Sequence, residues 1–347
     1  LVPSRVNLPA TGSSRTLAQA LLIALMLGLL GAAASPVARP SDHRSVATTT
    51  TPSAEPLDRI VILGASMSCG FGVRMRAIAP DGQPLSMRVN LAELIATASG
   101  RSDLVAADLS TQVYFTDPRR IAARTANQAL AARADLVLAL DWIFWNGYGL
   151  QGPAGPARDC VDRLALLETA LSHLDPLVAS GVPLVLGDFP DMQSAIGGGM
   201  IAASMVPDPA CLAQLNRRLA AWAKPHPNVA ILPLSNVMQA TLADRPVLAQ
   251  GREWSKATVG TLLQRDRLHP TLAGTMVVLA TALDQADRLT AGRAGVTVPL
   301  DPQMVRDRLK ARLLAMHATA TVPDDAGEDA GTPATDAHLG RAAPTPD

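Results

Sequence analysis

Residues at two distant places in the chain could together break an ester. "DRLHP" holds Asp266 and His269 three residues apart, with Pro270 directly after. An imidazole can take a hydroxyl proton, and a carboxylate one turn earlier can bond its other nitrogen and fix the tautomer. "LGASMSCGFGV" holds Ser66 two residues past Gly64, after a short apolar run. A serine on a small-residue turn after a strand projects from the strand's carboxyl end and can be a nucleophile if a base reaches it. The helix start that such a turn leads into favours developing negative charge. Taken singly, Ser66 also reads as a helix cap, and Asp266 and His269 as a surface charge and a cap. Pro270 suits the first position of the helix predicted for "TLAGTMVVLATALDQADRL".

The elements that must position these groups follow from apolar patterning. Short runs rich in Val, Ile and Leu predict strands at 59–64, 103–108, 135–141, 183–189 and 228–233. Helical patterns cover 86–99, 119–134, 158–180, 210–224, 271–289 and 301–318, with Gly181 as a stop after the third. Alternation of buried strands and helices implies a parallel sheet covered on both faces. With strand order 2-1-3-4-5, the ligand site falls at the carboxyl ends of the first and third strands. The third strand leads into "DWIFWNGYG", which concentrates aromatic residues in a chain that is only 3% aromatic. Trp142 and Trp145 there read equally as walls of an acyl or sugar pocket and as core, and Phe144 as core filler. Asp188 and Asp191 end the fourth strand as a cap or turn, and "SAIGGGM" reads as a flexible lip.

An early serine after the first strand and a late Asp-x-x-His-Pro before a helix resemble the SGNH, or GDSL-type, hydrolase family, over roughly 57–289. The resemblance implies a flavodoxin-like three-layer α/β/α sandwich and a serine esterase acting on acyl lipids, acyl thioesters, acetylated glycans or small esters. No metal or organic cofactor is implied. "GASM" stands where the family has Gly-Asp-Ser-Leu, making Ser66 the nucleophile and Asp266 and His269 its partners. In that family a glycine after the second strand and an asparagine after the third help the serine amide form an oxyanion hole. Here "AADLSTQVYFTD" has no glycine, Asp141 stands roughly at the next block's glycine, and Ile143 falls where the asparagine should be. Asn146, three residues on, substitutes only if the loop bends. An ionised Asp141 would oppose an adjacent oxyanion, or it could bind a cationic or hydroxyl-rich substrate group. The alternative is a catalytically weak or inactive SGNH-like domain that binds a cell-envelope glycan or a protein partner. The G-x-S-x-G elbow fits worse, since position 68 is Ser, and "GASMSCGFG" is not a dinucleotide fingerprint.

Composition sets the remaining bounds. Of 347 residues 48% are apolar, enough for a sizeable core, and thirty basic side chains cancel thirty acidic ones. No global field favours nucleic acid. Arg5 and Arg15 precede "TLAQALLIALMLGLLGAAAS", which reads as an export signal or an uncleaved membrane anchor over 1–35. A linker over 36–56, a folded domain over 57–317 and a disordered tail over 318–347 complete the division. The destination is periplasmic or secreted, or the inner membrane if the anchor stays. Cys69, Cys160 and Cys211 show no metal spacing. One Cys160–Cys211 bridge with a free thiol, or three free buried cysteines, fit equally.

Overall fold

The computed structural model of the chain describes residues 55–149 and 159–320. The export or anchor segment, the linker up to residue 54 and the tail beyond 320 lie outside the described residues. The chain begins with β1 (Arg59–Ile62), a hairpin of β2 (Arg74–Ile78) and β3 (Pro84–Arg88), and α1 (Leu91–Ser99). It continues through β4 (Val105–Asp108), α2 (Pro118–Ala131), β5 (Leu136–Ala139), α3 (Phe144–Tyr148) and α4 (Cys160–Ala179). Next come β6 (Leu184–Gly187), α5 (Pro209–Ala223), β7 (Val229–Leu232) and α6 (Leu234–Leu242). A second hairpin, β8 (Val247–Ala249) and β9 (Arg252–Trp254), leads to α7 (Lys256–Val259), α8 (Leu272–Leu289), α9 (Arg293–Thr297) and α10 (Pro302–Ala320). No helix among the described residues is long and apolar enough to cross a membrane.

The five predicted strands form one sheet in the order β4-β1-β5-β6-β7, the expected 2-1-3-4-5, and every pairing is parallel. Alternation within each strand splits the core in two. Ile60, Ile62, Leu136 and Leu138 pack with α1, α8 and α10 on one face. Val61, Leu63, Val137 and Leu186 pack with α2, α4 and α5 on the other. Strands buried on both faces need apolar residues at every position, which is why they read as continuous runs. The fold is therefore an α/β sandwich of three layers.

Several boundaries differ from expectation. The predicted helix over 86–99 begins only at Leu91, capped by Asn90, because residues 84–88 pair with β2 instead. Thr271 caps α8, so Pro270 lies before that helix, in an isolated antiparallel bridge with Leu263. At the chain's other end α10 continues through Ala320, taking in residues assigned to the tail. Gly181 follows α4 in the left-handed conformation with φ 80°, as a helix stop requires.

Candidate active site

The loops that leave the carboxyl ends of β1 and β5 meet at the switch point of the sheet. Asp141, just past β5, reaches across to the turn that carries Ser66. One of its carboxylate oxygens accepts from the Ala65 amide at 3.0 Å and the Ser68 hydroxyl at 2.6 Å. The other accepts from the Met67 amide at 2.8 Å and, more weakly, the Ser68 amide at 3.4 Å. The Ser66 amide is thereby left, alone in this run of four, without an acceptor among the described residues. Burial pushes the Asp141 carboxyl above the usual range, against the pull of Ser68 and the three amides. Asp141 thus holds the turn and does not stand free beside Ser66. Gly64 is required for this approach, since a Cβ there would lie 2.2 Å from Ser68 Oγ and 2.5 Å from Asp141 Oδ1.

The loop ahead of α8 supplies the partners of Ser66. His269 is buried, with Nε2 2.9 Å from Ser66 Oγ and Nδ1 2.8 Å from Asp266 Oδ2. The other Asp266 oxygen accepts from the amides of Leu268 and His269, both at 3.0 Å. Partial burial raises the Asp266 carboxyl, but those amides and the ring outweigh it and hold the group below its ordinary value. An ionised Asp266 only accepts, so the imidazole proton sits on Nδ1 and Nε2 is left to accept from Ser66. The Phe71 ring lies 4.4 Å from the imidazole, tilted by 33°.

Gln264 ties the two loops together. Its Nε2 donates to Phe71 O at 2.7 Å and to Pro270 O at 2.8 Å, one carbonyl from the loop after β1 and one from the loop ahead of α8. Gly72, at φ 69°, makes room for this side chain, since a Cβ would sit 2.3 Å from Gln264 Oε1. Sequence reasoning passed over Gln264, because an amide two residues ahead of an aspartate has no periodic or motif signature.

Two cavities flank the Ser66–His269 pair. The first runs between α6 and α8, has about 630 Å³ of empty space partly open to solvent, and is walled by Met67, Phe144, Met192, Leu234 and Val277. Ser66 and His269 stand in its lining as well. The second also contains Ser66 and His269, with Phe71, Gln112, Phe115 and Trp145 around them. Met200, from the expected lip, is in its lining as well. Gln112 was missed because its signal was position alone, just past the strand next to β1.

The aromatic cluster sorts differently from expectation. Trp142 is fully buried, donates to Thr125 Oγ1 at 2.9 Å and meets Tyr114 edge-on at 6.3 Å, so it is core and no cavity wall. Trp145 does wall the second cavity, and Phe144, read as filler, walls the first while stacking on Tyr148 at 4.2 Å. Asn146 is fully buried with Tyr114 OH 3.5 Å from its Oδ1, and it is in the lining of neither cavity. The loop does not bend as a substitute donor there would need. Asp188 accepts from the Ser235 amide and hydroxyl, and Asp191 from the Gln193 amide, which makes both turn and cap residues.

Cys160 and Cys211 form a disulfide between the first turns of α4 and α5, and Cys69 is free and buried. Burial raises the Cys69 thiol above its ordinary range. Among the described residues no three or more His, Cys, Asp or Glu side chains group to hold a metal ion.

No protein-family model matches the chain, and no curated protein does. Among solved structures it is similar to a protein described as a GDSL-like lipase from Parabacteroides merdae, at 15% identity and a TM-score of 0.39, over 66% of this chain and 95% of that one. It is also similar to a protein described as an SGNH hydrolase from Slackia heliotrinireducens, at 15% identity and a TM-score of 0.37, over 67% and 98%. A third is a catalytic mutant of an acetylxylan esterase from Geobacillus stearothermophilus, at 15% identity and a TM-score of 0.37, over 66% and 94%. Likenesses this loose bear no weight on activity, and the fold rests on strand order and layering.

Proposed function

We propose that this chain is an exported serine hydrolase of SGNH type that cleaves esters of an apolar acyl group. The observation that supports it most is the continuous relay of hydrogen bonds from Ser66 Oγ through His269 to an ionised Asp266. In this reading Ser66 Oγ bonds the ester carbonyl carbon while its proton passes to His269 Nε2. The carbonyl π pair moves onto oxygen, where the unengaged Ser66 amide can meet the charge. Collapse of that intermediate breaks the bond to the alcohol, which leaves with the proton from His269. A water then repeats the sequence on the acyl-enzyme and regenerates Ser66. Asp266 stays ionised throughout and steadies the imidazolium.

The cavity between α6 and α8 supports an apolar acyl group, since apart from Ser66, Asp141, Thr241 and His269 its lining offers only apolar side chains and a glycine. Export is supported by the basic residues ahead of the apolar run and by the Cys160–Cys211 bridge, which persists in oxidising compartments.

One experiment addresses these points together. Protein purified from its native compartment is treated with a fluorophosphonate and read by mass spectrometry. A single adduct on Ser66 and an N-terminus near Ser35 are expected, and Ser66→Ala should lose the adduct and about six orders of magnitude in kcat. An intact, unlabelled chain that hydrolyses no nitrophenyl ester would favour a binding domain instead. Activity confined to the acetate ester would remove the acyl-chain reading alone.

A further inference from the structure

Two cavities open on one reacting pair, and an ester has two arms. Ser66 and His269 line both the cavity between α6 and α8 and the second one, which has about 680 Å³ of empty space partly open to solvent. The acyl and alkoxy arms diverge from the carbonyl carbon that Ser66 attacks. An acyl group seated in the first cavity therefore directs the alcohol into the second, whose walls decide which alcohols fit.

Those walls are aromatic and uncharged. Phe71 lies beside the base, with its ring 4.4 Å from the imidazole, and Phe115 meets Trp145 at 5.7 Å, tilted by 57°. Phe71 and Phe115 are only half-buried, so both rings offer surface to an occupant. Met200, Met205 and Leu268 extend the apolar lining, and the half-buried Gln112 supplies its one side-chain amide. No Asp, Glu, Lys or Arg side chain stands in that lining. Arg163 is committed elsewhere, donating to the carbonyls of Gly147, Met205 and Ser204. A phosphate headgroup would leave water here with no cation to meet it. A sugar would strand most of its hydroxyls against phenyl rings, with one amide to serve them. A quaternary ammonium finds ring faces but no carboxylate, and the charge that His269 gains during the reaction would oppose it. A neutral aromatic ring meets none of these costs and packs favourably against Phe71 and Phe115.

We propose that the second cavity binds an uncharged alcohol bearing an aromatic ring, so that the substrate joins an apolar acid to such an alcohol. The assignment rests on the hydrolase reading above and names the other half of its substrate. Phe115 is the specificity-determining residue best suited to a test, since it lines this cavity and not the first. Phe71 is less suitable because it also lies against the imidazole.

Hexanoyl esters of 2-naphthylmethanol, ethanol, glycerol and choline are all esters of alkanols, so their rates compare fit and not the acidity of a phenol. With the full chain, kcat/KM for the naphthylmethyl ester should exceed that of each other ester by about tenfold or more. Phe115→Leu should cut its preference over the ethyl ester by about fivefold or more, as expected when an aromatic contact is lost. A second readout needs no variant: 2-naphthylmethanol should inhibit the wild-type chain competitively, whereas glycerol and choline at the same concentration should not. A glyceryl or choline ester cleaved as fast as the naphthylmethyl ester overturns the assignment while the hydrolase reading stands. Equal inhibition by the three alcohols, or an undiminished preference in a folded Phe115→Leu variant, does the same. If the wild-type chain turns over none of these esters and no nitrophenyl ester, the hydrolase reading falls and takes this assignment with it.

Discussion

The division of labour within Asp266 gives the site its sharpest dependence on a single atom. One carboxylate oxygen is committed to the amides of Leu268 and His269, and the other faces His269 Nδ1. In Asp266→Asn the carbonyl oxygen should stay on the two amides, which turns the new NH₂ toward the imidazole. The ring must then accept at Nδ1 and carry its proton on Nε2, where it cannot take the Ser66 proton. The variant is expected to fold with an unchanged melting temperature and to lose about three to four orders of magnitude in kcat, measured on the same nitrophenyl ester. A loss of stability in proportion to the lost rate would mean that Asp266 only holds its loop. The reactive residues were legible in sequence because their types and spacing are themselves the chemistry. The facing of Trp142 and Trp145 was not legible, since Trp142 lies in an irregular turn and Trp145 in a five-residue helix too short to show a period.

Among elements, strands and long helices declared themselves while both hairpins stayed hidden. The turn between β8 and β9 puts Gln250 and Gly251 at φ 50° and 67°, the left-handed pair that a two-residue hairpin needs. Gln250 is a rare choice there, which masked the signal. "PDGQP" between β2 and β3 was the more readable case, with Asp81 and Gly82 in the turn, but the helical pattern beginning at Leu91 drew residues 86–90 into the wrong element. Helices α4 and α5 carry the consequence of the disulfide, whose cysteines are 51 residues apart. Closing a loop of that length removes denatured-state entropy worth about 4 kcal/mol in the chain-entropy account, with about 2–4 kcal/mol typical in practice. Cys160→Ser with Cys211→Ser should therefore unfold at lower urea, with an unfolding free energy smaller by that margin. Arg163 lies one turn beyond Cys160 and anchors the α3 loop, so the double variant is also expected to lose activity below its melting point. Equal urea midpoints for the bridged and serine forms would show that the bridge adds nothing to stability.

At the scale of the whole molecule, the parallel sheet brings together parts of the chain that are remote in sequence. Ser66 and His269 are 203 residues apart, and Gln264 bridges to Phe71 across 193. The Leu57 amide donates to Thr297 Oγ1, and Arg308 to Ala98 O, across 240 and 210 residues. The clamp made by Gln264 therefore has a temporal side. Long-range closures of this kind come late, because each must first overcome the entropy of joining distant segments. Helices α1, α2 and α4 can form early from local contacts, whereas nucleophile and base can meet only after α8 has docked on the sheet. Diluting the bridged protein from urea into brief pulses of fluorophosphonate should recover far-UV ellipticity first and Ser66 labelling only with the slowest phase. Labelling that keeps pace with the ellipticity would mean that the serine turn matures by itself. Should the order hold, a nascent or partly unfolded chain would carry a serine that cannot yet attack anything, and reactivity would report that folding is complete.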